Sequence, residues 1–475
     1  MGLEGLQAVR PSLRRPGLRD EVFGTSSDRY APGFTLFLSG NSVGEFGDES
    51  SPLAALRNNI SQVRFEENED IQSEIKIKLT GFVKEGNRET PMPLWVESTN
   101  LFSDGNIVWL YGGYGGVQSI LGGAEIVKRK FNYGDQPSVE ITARDPIHRM
   151  ANEFAESSIT YRGLRSSDIV KKIGRKYSGA YGGVFNVDQI QKLPIFTPRA
   201  EVQKQGESDY HFIRRMAEIR GWSFFSRFNP ATKKFDLIYG PDTDKQQPIF
   251  VYEYNADDQL AEDRLIDFDP EISVIDQHTE IKIVSMDEAR KKKVGHSVKY
   301  KFVADGALDL DRKFTPSNAD APKVEVRNSG HYRLKAFGIS RRVLTNRPFK
   351  DESEAKKFLV QWGRSHVKNF ITAKGRVVGN ESMQVRQVNV FKGIGSLLGG
   401  TDSSPGKWYF TKVAHDFSGT GSGFAYSTEF DCRKVVDWIP DDEIVLTLPA
   451  LEKAKAKKTA KYQSVADTFT SGNPQ

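Results

Sequence analysis

GESDYHFIRRMAEIRGWSFFSRF, residues 206–228, changes its periodicity half-way along, and the remainder of the chain can be read outward from that change. Over 208–222, Tyr210, Ile213, Met216 and Ala217 recur at three- and four-residue steps behind a serine, one apolar stripe of a helix. Gly221 stands where such a helix stops. From Trp222 the signal becomes an aromatic strand, WSFFSRF at 222–228; NPATKK turns the chain and FDLIYG at 235–240 returns it. Upstream, DPIHRMANEFA at 145–155 places Ile147, Met150, Ala151 and Phe154 on one helical face, with Asp145 as N-cap and Pro146 in the first turn. SSDIVKKIGRKY at 166–177 does the same with Ile169, Val170, Ile173 and Tyr177. Residues 146–250 therefore read as a compact α/β domain.

Strand signals lie on both sides of it. Ile75, Ile77 and Leu79 alternate with Lys76, Lys78 and Thr80, the period of two that gives one buried and one wet face. FTLFL at 34–38, IVWLY at 107–111, EIVKRKF at 125–131 and SVEITAR at 138–144 complete a first β domain over 31–145, an antiparallel barrel or sandwich. A second spans 251–440. Its strands include Ile281 with Ile283, Val298 with Tyr300 and Phe302, KGRVVG, QVRQVNVF, KWYFTKVAHDF and GFAYSTEFDCR. Tyr409, Thr411, Val413, His415 and Phe417 are read as one face, and Phe424, Tyr426, Thr428, Phe430 and Cys432 as another. One helix, 352–370, interrupts these strands, with Ala355, Phe358, Leu359, Trp362, His366 and Phe370 aligned. The fold class expected is mainly β with an α/β insert, and the two flanking β domains suggest a duplicated barrel.

Composition excludes several classes. At 475 residues the chain is long enough for about three domains. No run of ~18 apolar residues is present to span a bilayer as a helix, and MGLEGLQAVRPSLRRPGLRD lacks the apolar core of a secretory signal. One cysteine, Cys432, makes neither an internal disulfide nor a Cys-rich zinc site, which fits folding in a reducing cytoplasm. Net charge is +5, but Arg10, Arg14, Arg15 and Arg19 crowd a basic arm over 1–30. Lys453, Lys455, Lys457, Lys458 and Lys461 likewise crowd an extension over 441–475. Without those nine, 58 of the 67 basic residues face 62 acidic ones, so the body is near neutral.

No catalytic constellation emerges. GNSVG at 40–44 satisfies G-x-S-x-G, but EFGDESSP after it carries no helical period to support Ser42 as a nucleophile. The seven histidines, 148, 211, 278, 296, 331, 366 and 415, show no metal spacing. His415 reads as a core histidine with a satisfied hydrogen bond, His148 and His366 as packing or rim residues, and Cys432 as a small buried hydrophobe. YGGYGGVQSILGG at 111–123 fails G-x-G-x-x-G and reads as a flexible loop or a close approach to a neighbouring chain. FKGIGSLLGGTDSSPGK at 391–407 reads as an extended tip between strands. Glu66 with Glu67, and Asp267 with Asp269, read as solvated faces rather than glycosidase carboxylates. Arg290–Lys293 reads as a solvated turn without the aromatics of a nucleic-acid platform.

The stretch 206–228 resembles the helix-then-strand element of phage tail baseplate hub proteins, the late-control-D family, which also includes the hub portion of VgrG spike proteins of type VI secretion. Glu207, Ser208, Asp209, Tyr210, Ile213, Met216, Ala217, Gly221 and Trp222 carry the match. VEITARDPIHRM is similar to the family's strand leading into a helix. The helix at 352–370 followed by Gly375 and Gly379, and WYFTKVAHDFS with GFAYSTEFDCR as a closing hairpin, extend the resemblance in the same order over about 30–440. QVNVFKGIGSLLGG departs from the family's element before that hairpin. Only a short tail follows, so a spike and any wall-degrading enzyme are expected to be separate proteins.

The resemblance implies a homotrimer in which two related barrels per chain form a pseudo-sixfold ring around a channel. That ring would join a hexameric tail tube, or tube-initiator protein, to a trimeric central spike in the virion's tail baseplate, after assembly in the host cytoplasm. Other baseplate proteins, and a tape measure protein in the lumen, are implied as partners. DNA would pass without specific binding, through a lumen expected not to be basic. No catalytic, cofactor or metal site and no membrane insertion are implied. A contractile tail, a noncontractile tail and a phage-like injection device all remain open, as do two rival readings: a tail-associated cell-wall hydrolase and a carbohydrate-binding module. EIVLTLPAL at 443–451 is expected to bind the spike or a baseplate neighbour.

Overall fold

The computed structural model describes residues 32–39, 56, 59–85, 88–114, 117–180, 185–188, 190, 200–220, 222–229, 231–232, 234–243, 246–254, 264–273, 275, 278, 280–287, 292–299, 341–344, 368–395, 398, 400–401, 404–420, 423–435 and 445–447. The Ser42 motif, both basic arms, Gly221, His331, His366 and residues 352–367 of the helix expected over 352–370 lie outside these residues.

The first strands are β1 (Pro32–Ser39), β2 (Ile60–Asn68) and β3 (Glu74–Thr80), then the short hairpin β4 (Phe82–Glu85) and β5 (Arg88–Pro91). A helix not anticipated from sequence, α1 (Met92–Thr99), follows, burying Met92, Trp95 and Val96. The meander β6 (Ile107–Tyr114), β7 (Val117–Asn132) and β8 (Ser138–Arg144) completes the set. The antiparallel order is β1-β6-β7-β8-β3-β2. Alternation sends Val63 and Phe65 of β2, and Ile75, Ile77 and Leu79 of β3, into one core with Leu36, Trp95, Val108 and Ile141.

YGGYGGVQSILGG is no flexible loop: apart from residues 115 and 116 it is strand, the paired arms of β6 and β7. Its glycines admit a close approach, but by rings of the same chain. A Cβ on Gly112 would strike the ring of Phe417, one on Gly122 that of Phe65, and one on Gly123 would lie 2.7 Å from the ring of Phe228.

The insert begins with α2 (Ile147–Asn152), β9 (Ile159–Arg162), α3 (Ser166–Ala180), β10 (Phe185–Asn186) and β11 (Ala200–Gln203). It continues through α4 (Asp209–Arg220), β12 (Trp222–Asn229) and β13 (Lys234–Pro241). The expected stripes of α3 and α4 pack inward: Ile169, Val170, Ile173 and Tyr177 from α3 meet Tyr210, Ile213, Met216 and Ala217 from α4 over the sheet β10-β13-β12. The helix expected over 145–155 stops early. Glu153 is extended, and the segment pairs instead with residues 206–209 (Asp209 N to Glu153 O 3.0 Å, Gly206 N to Ala155 O 2.9 Å). Phe154, expected on the buried face, is 57% exposed. Half-buried Ile107, Trp109 and Ile120 of the first β domain also pack on this core, so the insert covers the outside of β6 and β7.

After β14 (Val251–Tyr254) and β15 (Arg264–Ile272) come β16 (Glu280–Asp287), β17 (Lys292–Lys299) and β18 (Arg341–Leu344). Next are β19 (Ile371–Val378), β20 (Val388–Lys392), the tiny hairpin β21 (Gly400–Thr401) with β22 (Ser404–Pro405), then β23 (Lys407–Thr420), β24 (Gly423–Lys434) and β25 (Val445–Thr447). Six of these close on themselves: β23-β20-β14-β15-β19-β24, with β24 pairing back on β23. β25 pairs with β17 and forms the edge strand of the separate sheet β18-β16-β17-β25, so the middle of EIVLTLPAL joins a sheet of its own chain.

One hairpin serves both β domains. β2 pairs with the far half of β23 (Val63 opposite Phe417, Phe65 opposite His415), while β20 pairs with its near end. Trp408, Phe410, Val413, Phe430 and Cys432 fill the core of the six-stranded ring. Phe417 and Tyr426, stacked with ring centroids 4.1 Å apart, belong to the other core. A 14-residue strand reaches about 45 Å, enough to traverse two barrels. The expected single face from Tyr409 to Phe417 is broken by a bulge between Phe410 and Lys412, which slips the register by one. Trp408 and Phe410 consequently share the inner side with Val413, and Tyr409 is turned away from it.

Candidate functional site: a polar seam between insert and barrels

The acidic run EENED at 66–70 does not form one solvated face. Glu66, half-buried, pairs with Lys412 at 2.9 Å, whereas Glu67 and Glu69 point the other way and are buried. Period-two alternation splits neighbours this way, and the insert, seated on that side of β2, closes over the inward pair.

Glu67 accepts from Arg227 Nε of β12 at 2.7 Å and from the backbone N of Val385 at 3.1 Å. Arg227 also donates to the Val385 carbonyl at 3.2 Å, so one carboxylate and one guanidinium clip three parts of the chain together. Two residues further on, Glu69 accepts from Tyr409 Oη of β23 at 2.6 Å and from the Ser223 hydroxyl of β12. Ser223 reaches Asp242 at 3.2 Å; Asp242 accepts from Arg433 of β24, whose guanidinium lies 4.2 Å from the centre of the Tyr409 ring. Burial lifts Glu69 to about 7, and the nearby charge of Asp242 adds to this, while Arg433 and the two hydroxyl donors oppose it.

A second junction lies at Asp145, between β8 and α2. Its carboxyl accepts from Ser73 N at 3.1 Å and Ile147 N at 3.2 Å, capping α2 as expected. Burial lifts it too to about 7. Close by, buried Glu125 of β7 takes a two-pronged contact from Arg149 of α2, at 2.9 and 2.6 Å.

Carboxyls held half-protonated near neutrality invite an acid–base reading. Their surroundings oppose it: Glu69 and Asp145 are almost fully enclosed, and the contacts described hold them to protein donors rather than to an open cleft. Ser208 and His211 meet at 2.7 Å, but the serine is 1% exposed and its oxygen accepts from His211 N, the work of a helix cap. The cavity in the first barrel is lined only by apolar side chains, among them Leu36, Leu56, Ile77, Phe102 and Val108. Among the described residues no group of three or more His, Cys, Asp or Glu side chains is arranged to hold a metal.

His415 is the core histidine expected. It is 2% exposed, with Nδ1 at 2.8 Å from Tyr426 Oη and Nε2 at 3.1 Å from the Met383 carbonyl, and burial pulls it down to about 4. Cys432 is buried, its thiol pushed well up. His148 lies at the rim of the second junction, Nδ1 3.0 Å from the Asp145 carbonyl and Nε2 3.8 Å from Glu125. Asp267, exposed, pairs with Arg376 at 2.9 Å, and Asp269 is exposed on the same strand, as a solvated face requires. Of Arg290–Lys293, the last two open β17 and the first two lie outside the described residues. The seam itself was missed. The available signal was Ser223 and Arg227 set among the aromatics of WSFFSRF, polar groups on a strand otherwise built for burial.

Comparison with known proteins returned no matching family model and no matching curated protein. Solved structures do match. The tail protein from Neisseria meningitidis MC58 superposes with a TM-score of 0.50 at 11% identity, over 84% of this chain and 96% of that one. This chain has a phage tail protein fold. The 43 kDa tail protein of prophage MuSo2 from Shewanella oneidensis gives a TM-score of 0.50 at 9% identity, over 87% of this chain and all of that one. An E. coli component of the type VI secretion system, described as structurally similar to the T4 bacteriophage tail proteins gp27 and gp5, gives 0.43 at 12% identity, over 81% and 74%. The mainly β class expected from the sequence is the class observed, with six strands of the large sheet closed on themselves.

Proposed function

We propose that this chain is a structural baseplate hub of a phage tail, joining a hexameric tail tube to a trimeric central spike and lining part of the channel for DNA and tape measure protein. The observation that carries this reading is the β23–β24 hairpin, whose near half completes one barrel core and whose far half completes the other. Two barrels built on common strands keep a fixed relation, as they must if three chains are to present six equivalent positions to a sixfold tube and three to a spike. A closed heterologous ring of three such chains resolves that mismatch without any subunit adopting two conformations.

The domain division proposed is 31–145 and 251–440 for the barrels and 146–250 for the insert. The polar seam then acts as a brace, Glu67, Glu69 and Asp145 fastening the insert to the barrels so that load on the ring does not peel it away. A structural role in the virion, without catalysis, is supported by the enclosure of the carboxyls and by a serine engaged as a helix cap. The ring's bore is proposed not to be basic, since phosphate-binding lysines would hold DNA through counterion release.

Native mass spectrometry of the purified chain tests the assembly. Three copies of 53.3 kDa make a species of about 160 kDa, and class averages should show threefold symmetry around a pore. A monomer at micromolar concentration, or a twofold dimer, would overturn the hub reading.

A further inference from the structure

The solvent side of α3 carries a charge pattern that the seam does not use. At 100° per residue, Ser166, Ile169, Val170, Ile173, Gly174 and Tyr177 fall on one side and are buried. The remaining arc, about 140° wide, holds Arg165, Lys171, Lys172, Arg175 and Lys176, with Asp168 as its only acid. Arg165 belongs to the same surface because its carbonyl accepts from Ile169 N, which winds it into the first turn. Four other arginines of the insert are committed: Arg149 to Glu125, Arg215 to Glu207, Arg220 to Glu201 and Arg227 to Glu67. Among the described residues, Arg165, Lys171 and Arg175 have no carboxylate partner. Lys172 lies 5.7 Å from the centre of the Tyr161 ring, and Lys176 reaches Asp209 at 3.1 Å.

Four cations on a 15-residue helix about 22 Å long, with Arg165 just before it, crowd one arc of its surface and raise the local potential, and the like charges at adjacent turns repel. We propose that this face of α3 docks an acidic protein surface, one that presents a row of carboxylates with a single cation set opposite Asp168. That acid makes a polyphosphate the poorer fit: it would face a phosphate at the centre of the contact, whereas a protein can answer it with one lysine or arginine. The arc also lacks exposed aromatics on which bases could stack. This does not depend on the hub assignment, because the face exists in the single chain.

The test uses the full-length protein and a synthetic 16-residue helical peptide bearing glutamates along one face and one central lysine, followed by fluorescence anisotropy. The wild type should bind it with an affinity that falls steeply between 50 and 300 mM salt. Lys171→Gln with Arg175→Gln should weaken binding at least fivefold while leaving the melting temperature unchanged. Replacing the peptide's lysine by glutamate should cost a further two- to fivefold, and Asp168→Asn should abolish that difference, the coupling expected of a direct pair. Equal binding by wild type and the double variant would overturn the proposal, as would tighter α3-dependent binding of a 20-base-pair duplex than of the peptide. Preservation of the lysine preference in Asp168→Asn would overturn the placement of the cation.

Discussion

Acid should destabilise this protein through a single histidine. His415 is locked between the Tyr426 hydroxyl and the Met383 carbonyl, stacked at 6.4 Å on Phe65, with no carboxylate among these neighbours to welcome a proton. Its folded value of about 4 lies below the ordinary 6.5, so the neutral form is the native one. The stability it contributes is therefore complete above pH 6.5 and is lost as pH falls towards 4. Linkage at 1.36 kcal/mol per pH unit gives a loss of about 2 kcal/mol at pH 5 and about 3 kcal/mol at pH 4. The perturbation is His415→Gln, whose carboxamide can accept from Tyr426 and donate to Met383 but does not titrate. Urea unfolding of both proteins at pH 7.5, 6 and 5, compared as a difference, cancels every group they share. The wild type should lose about 2 kcal/mol relative to the variant between pH 7.5 and 5. Parallel pH profiles, or a directly measured value for His415 near 6.5, would refute the reasoning.

The remaining expectations concern packing and the seam. Gly122→Ala drives a methyl into the Phe65 ring and should cost about 1–3 kcal/mol, seen as a fall of several degrees in melting temperature; an unchanged melt would show that the ring can move aside. Arg433→Met strips the cation from buried Glu69 and Asp242 and should cost about 3–5 kcal/mol near pH 8. Because the folded value of Glu69 is raised from 4.5 to about 7, its contribution is present below 4.5 and lost as pH rises through 7, so this variant should recover on acidification to pH 6; an equal loss at both pH values would count against the assignment. Asp145→Asn removes a carboxyl raised from 3.8 to about 7, so the decline of stability between pH 5 and 8 should be shallower in the variant than in the wild type when the two are compared by urea unfolding.

Helices and strands were legible wherever one side of an element is buried by its own domain. The stripes of α3 and α4, the alternation of β3 and the aromatic β12 all follow directly from residue order. Legibility failed where burial came from a distant segment. Glu67 and Glu69 look like solvated acids until β12 and β24 bring Arg227, Ser223 and the Arg433–Asp242 pair to them. The glycines of β6 and β7 look like loop residues until Phe65, Phe417 and Phe228 are seen pressed against their backbone. α1 was missed because it is short and lacks a side-chain cap, and the bulge at Thr411 because a one-residue slip leaves no mark in composition.

Residue order alone set the mainly β class, the position of the α/β insert and the inward fate of His415 and Cys432, since these depend on periodicities of two and 3.6 that neighbouring residues impose on one another. Only the tertiary structure decided that a single hairpin belongs to both barrels and that buried acids fasten the insert to them. Those outcomes rest on contacts between residues more than 150 positions apart, such as Glu69 with Ser223 and Tyr409, where pairing is set by the geometry of the closed sheet and leaves no local periodicity to read.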